Sequence, residues 1–312
     1  MRIFLKGVRN IFLVFLACII LFVSGAFVYN RIKISQEKPL LENVPGQMVE
    51  VNGHKMHVYT EGEGEHTIVL MSGWSVTSPS PYVNFLPLCK DLAKDNRVVI
   101  IERFGYGLSD VVGGKRTFDK VVEDDREALK QLGIEGPYVL CPHSIAGLES
   151  LIWAQNYPEE VEALIGMDMS DTSIKGDKEM GTPVLKFIAA IRATGLYRLL
   201  SSPEDDTVES RMVHAIQCKN MANKTVINEI KAIDESCDII NSKPLPTTPT
   251  LQFVAMQRRS EEEVQAWKAS HQEIVDASSN GKMVELDCQH YVYRFEQERI
   301  VQEIGEYLKN LK

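Results

Sequence analysis

The sequence predicts an α/β protein: a mostly parallel sheet with helices on both faces, a helical insertion, and one apolar helix ahead of them. Three observations carry this. Strand-like runs alternate with helix-like runs over about 46–169 and again over 247–312, the pattern of a parallel sheet covered on both faces. Between 170 and 246 the alternation stops and only helix-like stretches follow one another. From Asn10 to Asn30 no residue is charged.

The apolar stretch comes first. Ile11–Tyr29 is a run of nineteen mostly apolar residues, long enough at helical rise for a hydrocarbon core of roughly 30 Å. Inside lipid every backbone group must be paired within the segment, so a helix is expected. Arg2, Lys6 and Arg9 precede the run and Arg31 and Lys33 follow it. With the free amino terminus, this mild bias favours a cytoplasmic N-terminus and a main domain outside. Residues 1–33 are therefore read as a single-pass membrane anchor. The competing reading is a cleaved signal peptide: Ser24-Gly25-Ala26 resembles a small-x-small site, and a mature start near Phe27 would make the protein secreted. Residues 34–45 are polar with two prolines and read as a short linker.

The core begins with two strand-like runs, Met48–Val51 and His54–Tyr59, around Asn52-Gly53, a strong hairpin signal. Thr67–Met71 and Arg97–Glu102 read as buried strands, with helical character near Val83–Lys94 between them. An amphipathic helix over Phe118–Leu132, a short strand at Tyr138–Cys141, a helix over Ala146–Asn156 and a strand at Val161–Met167 continue the alternation. Pro183–Leu200, Thr207–Asn220 and Lys224–Ile240 read as the helices of a cap. The pattern then resumes with a strand at Thr250–Met256, a helix near Glu261–Ala277, a strand at Lys282–Leu286 and a last helix over Glu296–Leu311.

Composition bounds the function. The net charge is −9 and no basic run lies outside the N-terminal region, which argues against a nucleic-acid partner. Of six cysteines, one lies in the apolar run, and the other five are widely spread with no C-x-x-C. Neither a disulfide framework nor a metal site is expected. No phosphate loop is present, so no cofactor is expected either.

The chemistry concentrates in Tyr138-Val-Leu-Cys-Pro-His-Ser-Ile-Ala-Gly147. A strand ends, Ser144 falls on a sharp turn, and a helix starts at once, the setting of a nucleophile elbow. Such a turn brings the backbone close to itself and needs small residues two positions either side of the serine. Ala146 satisfies this; Pro142 departs from the usual glycine. A second segment, Glu102-Arg-Phe-Gly-Tyr-Gly-Leu-Ser-Asp110, follows the RVVIIE strand.

This second segment resembles the D-x-x-G-x-G-x-S stretch found after the corresponding strand of α/β-hydrolases, with Glu102 where Asp is commoner. The chain is thus similar to a membrane-anchored, capped member of the α/β-hydrolase superfamily, from about Gln47 to the C-terminus. The resemblance implies that the loop Met71-Ser72-Gly73-Trp74-Ser75 supplies one oxyanion-hole N–H, from Trp74, and Ile145 the other. It implies that the base is the last histidine, His290, in Cys288-Gln289-His290 where relatives carry Gly-His. His143 occupies a variable elbow position and is not expected to act in catalysis. The acid is less determined. Its usual place, just after Thr250–Met256, holds Arg258. Asp168, at the end of the preceding strand, is the favoured candidate, with Asp171 and the acids near Glu261 as alternatives.

The reading that follows is a serine hydrolase cleaving an ester or amide bond of a small substrate through an acyl-enzyme. The elbow residue is Ser rather than Asp, which argues against dehalogenase or epoxide-hydrolase chemistry. Two alternatives stand beside it: an aminopeptidase of the proline-iminopeptidase kind, and a non-catalytic ligand-binding or signalling protein on the same scaffold. Substrate identity and oligomeric state are left open by the sequence.

Overall fold

In the computed structural model residues 2–176, 181–258 and 260–311 are described. They fall into two compact units: residues 45–176 with 223–311, and residues 2–44 with 181–222.

The larger unit is built on strands β1 (Gln47–Val51), β2 (His54–Glu61), β3 (Thr67–Met71), β4 (Arg97–Glu102), β5 (Tyr138–Pro142), β6 (Val161–Met167), β7 (Thr250–Ala255) and β8 (Gly281–Leu286). They form one eight-stranded sheet in the order β1-β2-β4-β3-β5-β6-β7-β8. The β1–β2 and β2–β4 pairs are antiparallel and all others parallel. The hairpin turn is Asn52-Gly53, both residues with positive φ, the conformation that suits the twist of the flanking strands. The central strands are short runs of Val, Ile, Leu and Met because helices cover both faces; every residue of β3 and β5 is buried.

Helices α2 (Pro81–Leu92) and α12 (Gln297–Lys309) bring Phe85, Leu88, Leu92, Ile300, Ile304 and Leu308 into one core with Ile68, Leu70, Ile100, Val139, Ile165 and Phe253. Helices α3 (Phe118–Gln131) and α4 (Ala146–Asn156) pack on each other. Helices α8 (Lys224–Lys231), α9 (Ile233–Asn241), α10 (Glu261–Ala277) and α11 (Val292–Phe295) complete this unit.

The smaller unit holds α1 (Arg2–Glu42), α5 (Thr182–Ala193), α6 (Leu196–Leu200) and α7 (Val208–Asn220). Helix α1 is long and apolar enough to cross a membrane, with a mean hydropathy of 3.0 in its most apolar stretch.

Three sequence expectations need revision. First, 34–45 is not an irregular linker: α1 runs on to Glu42 through Pro39. An interior proline costs a helix about 3 kcal/mol; two residues before it, Arg198 holds Glu37 with its two terminal guanidinium nitrogens, at 2.5 and 2.8 Å. Second, Pro183–Leu200 is two helices. Gly195 takes φ +80, a left-handed conformation that ends α5 and starts α6. Third, the helices of 170–246 divide between the units. Residues from Asn223 onward join the larger one, where Asn223 donates to the Gly105 carbonyl (2.7 Å) and Thr225 to that of Val112 (2.7 Å).

Candidate active site

The site lies at the C-terminal edge of the parallel strands, where ligands of open α/β sheets bind. Ser144 follows β5 after the single residue His143 and has φ +55. A non-glycine residue held there costs about 1–2 kcal/mol, so its surroundings must enforce it. Pro142 pairs with Met71 in register, and the His143 N–H donates to the Met71 carbonyl at 2.9 Å. The Ser144 carbonyl accepts from Ser170 (2.7 Å) and Gly147 (2.9 Å). Two glycines make the crossing possible. A Cβ on Gly147 would stand 2.0 Å from the Ser170 carbonyl, and one on Gly73 would stand 2.7 Å from Ser144 Cβ. Pro142, the departure from the usual elbow, is accommodated at the strand's last position.

The loop after β3 is therefore pressed against Ser144. It is fixed from behind by Arg103, a buried cation. Arg103 donates to the Ser72 carbonyl and, through Nη2 at 3.3 Å, to the Gly73 carbonyl. In a trans peptide the C=O and the following N–H point in opposite directions. With the Gly73 carbonyl toward Arg103, the Trp74 N–H points away from it. Arg103 is matched by Glu229 of α8 (Nε to Oε1, 3.2 Å), which also accepts from Tyr106 (2.8 Å). Burial opposes the Arg103 charge, but Glu229 beside it keeps it protonated. The Trp74 indole donates to the Val226 carbonyl at 3.0 Å, a second tie to α8. Ile145 stands at the N-cap of α4 with helical φ and ψ; the N–H groups after it, of Ala146, Gly147 and Leu148, donate to the His143, Ser144 and Ile145 carbonyls.

Asp168 follows β6 and also has a positive φ, +51. Its side chain is fully buried and takes four hydrogen bonds. Oδ2 meets His290 Nδ1 at 2.5 Å and Arg258 Nη2 at 2.8 Å. Oδ1 accepts from the Ala255 N–H (2.9 Å) and the Trp267 indole (2.7 Å). Burial alone would push this carboxyl up, but the His290 hydrogen bond and the His290 and Arg258 charges outweigh it and hold Asp168 below the usual range.

His290 lies in the loop after β8. His143 links it to the elbow: its Nε2 donates to the His290 carbonyl (3.1 Å), and the two rings are 4.6 Å apart. Burial, then the nearby His290 charge, lowers the His143 pKa to about 3. His143 is thus a neutral donor that supports the His290 loop.

Ser144, His290, Asp168, Trp74 and Ile145 thus fall on loops at one edge of one sheet. Of the alternative acids, Asp171 caps a short turn through Ser173 N–H (2.7 Å), and Glu261 opens α10. Two contributors escaped the sequence reading. Arg258 stood out only as an oddity where an acid is usual; it pairs with Asp168 from just past the end of β7, the strand beside β6. Trp267, one of three tryptophans, gave no signal beyond being an indole on a polar helix. Among the described residues no group of three or more His, Cys, Asp or Glu is placed to hold a metal ion.

A family model described as the alpha/beta hydrolase fold matches residues 67–194. An uncharacterised protein of Bacillus subtilis is 40% identical over 163 residues, 52% of this chain and 49% of its own. The match thus spans about half the length of that relative. Among solved structures, the enol-lactonase from Burkholderia xenovorans has a TM-score of 0.59 at 19% identity, covering 85% of this chain and 100% of the other. An esterase from Thermogutta terrifontis has a TM-score of 0.63 at 18% identity, covering 85% and 99%. At such identities the structural likeness is one of fold.

Proposed function

We propose that this chain, whose residues 67–194 match a model of the alpha/beta hydrolase fold, is a serine hydrolase of that superfamily with Ser144 as nucleophile, His290 as base and Asp168 as acid. The observation that carries the reading is the Asp168–His290 hydrogen bond of 2.5 Å, set beside a strained serine on a strand-to-helix turn. An ionised Asp168 on Nδ1 fixes the tautomer that leaves Nε2 free to accept a proton. Ser144 Oγ attacks the substrate carbonyl carbon while its proton passes to His290. The oxyanion is met by the N–H groups of Trp74 and Ile145, aimed by Arg103 and by the start of α4. His290 then returns the proton to the leaving group, and water repeats the sequence to release the acid.

Structural neighbours are named as an esterase, an enol-lactonase and an epoxide hydrolase; they share the fold, and we take a carboxylic ester as the substrate class because the elbow residue is a serine. The length and hydropathy of α1 support a single-pass anchor at 1–33, and the flanking bases Arg2, Lys6 and Arg9 favour a catalytic domain outside the cytoplasm, ahead of a core at 46–169 and 247–312 and a cap drawn from 170–246. A fluorophosphonate probe tests the assignment. The full chain is expected to be labelled and Ser144→Ala not. Equal labelling of the two proteins, or none of the parent, would overturn it.

A further inference from the structure

Helix α1 changes character along its length. Residues 4–22 are exposed all round. From Val23 on, one stripe is covered, through Ala26, Asn30, Ile34, Glu37 and Leu41, at helical spacings of three and four. What covers it is α6 with α7. A Cβ on Gly195 would lie 2.5 Å from the Ala26 carbonyl, so the start of α6 is in backbone contact with α1 at that level. Arg198 extends the contact upward, to Asn30 Oδ1 (2.8 Å) and Glu37 Oε2 (2.8 Å). Ala26 is three residues short of the end of the apolar run at Tyr29, about 4.5 Å along the axis. If Ile11–Tyr29 fills the bilayer core, Gly195 sits at its boundary.

The chain around Gly195 is dressed for that position. On α5, Val184 is 50% and Phe187 65% exposed; on α6, Leu199 is 46% and Leu200 82% exposed. Pro183, Val184, Phe187 and Ala190 share one face of α5 and all are exposed. A soluble surface seldom groups such side chains. The charge is also one-sided. Residues 181–200 carry no acid, in a chain of net charge −9; of their three bases Arg198 is buried against Glu37, which leaves Lys186 and Arg192. Apolar residues with bases among them, next to a spanning helix, match a bilayer boundary bearing anionic headgroups.

We propose that α5 and α6 form a membrane-contact surface, lying in the lipid boundary where α1 leaves the bilayer. Val184, Phe187, Leu199 and Leu200 enter the upper acyl region, and Lys186 meets anionic headgroups. The proposal rests on α1 being a membrane anchor.

Tryptophan quenching in vesicles of phosphatidylcholine and phosphatidylglycerol tests it on the full chain. Phe187→Trp and Leu21→Trp each add one indole to the three native ones, and the added emission is read as the difference from the parent protein. Lipids brominated high on the acyl chain are expected to remove the added emission of Phe187→Trp, and lipids brominated deep in the chain to remove less of it. Leu21→Trp, inside the span, is the control. Quenching of Leu21→Trp without quenching of Phe187→Trp overturns the surface and leaves the anchor standing. Quenching of neither overturns the anchor and the surface with it. Blue-shifted Phe187→Trp emission that bromine does not touch would place protein against α5, a second copy included, and likewise overturns the proposal.

Discussion

At the end of β4, Glu102 is fully buried and accepts from the Ser80 hydroxyl, the Tyr82 N–H (3.2 Å) and the Leu108 N–H (2.7 Å). At the end of β6, Asp168 is equally buried and accepts four donors. Both carboxylates face a histidine: His57 Nδ1 lies 3.2 Å from Glu102 without hydrogen-bond alignment, and His290 Nδ1 lies 2.5 Å from Asp168 with it. The far side of each ring differs more. His57 is 2% exposed and its Nε2 is spent on the Pro45 carbonyl at 3.0 Å, whereas His290 is 38% exposed beside the elbow. Under the proposed assignment, a buried acid and a histidine are therefore not a catalytic pair by themselves. The pair can act only when the acid orients one ring nitrogen and the fold leaves the other open to the nucleophile.

Substitution should separate the two carboxylates. Asp168→Asn keeps the shape but leaves His290 in the wrong tautomer, so kcat should fall on the order of 10⁴-fold, as in the triad template, with the protein still folded. A loss under about tenfold, well short of that template, would move the acid elsewhere. Glu102→Gln should do the reverse. Its new NH₂ meets groups that already donate, and a buried mismatch costs about 1–3 kcal/mol. At roughly 2–4 °C per kcal/mol for a domain of this size, the thermal midpoint should drop by several degrees with kcat unchanged. If kcat collapses instead, the β4 pair takes part in the chemistry and the comparison fails.

What the sequence disclosed follows the range of each interaction. The elbow is local: strand, serine, small residues and helix lie within ten positions, so the turn that carries Ser144 and Ile145 is legible. That His290 and Asp168 fall at the same sheet edge is legible through order along the chain, because parallel strands present their ends at one edge; their proposed roles await the labelling and substitution experiments. The supports are not. Trp267 reaches Asp168 across 99 residues and Glu229 reaches Arg103 across 126, and no short-range pattern marks either. The continuation of α1 through Pro39 is hidden too, and the Arg198 that holds Glu37 beside it lies 161 residues away.

A third buried acid sharpens the contrast through pH. Asp125 on α3 lies beside Glu149 on α4, and both are buried. Burial, then the Glu149 charge, pushes the Asp125 pKa well above its usual value, opposite to Asp168. The signs of the linkage differ accordingly. Asp168 contributes stability that is present above the unfolded pKa of about 4 and lost as pH falls through its lower folded value. Asp125 keeps its proton in the folded state after the unfolded chain has released it, so its contribution is complete below about pH 4 and lost as pH rises toward the folded value. The slope is at most about 1.4 kcal/mol per pH unit for one proton. Asp125→Asn cannot ionise. Thermal unfolding of the full chain in detergent between pH 5 and 7.5 should therefore fall off less steeply for the variant than for the parent. Glu149, also raised by burial, keeps the variant's slope from vanishing. Identical slopes would mean that Asp125 is ionised in the folded protein, held by the Arg103 charge rather than isolated from it.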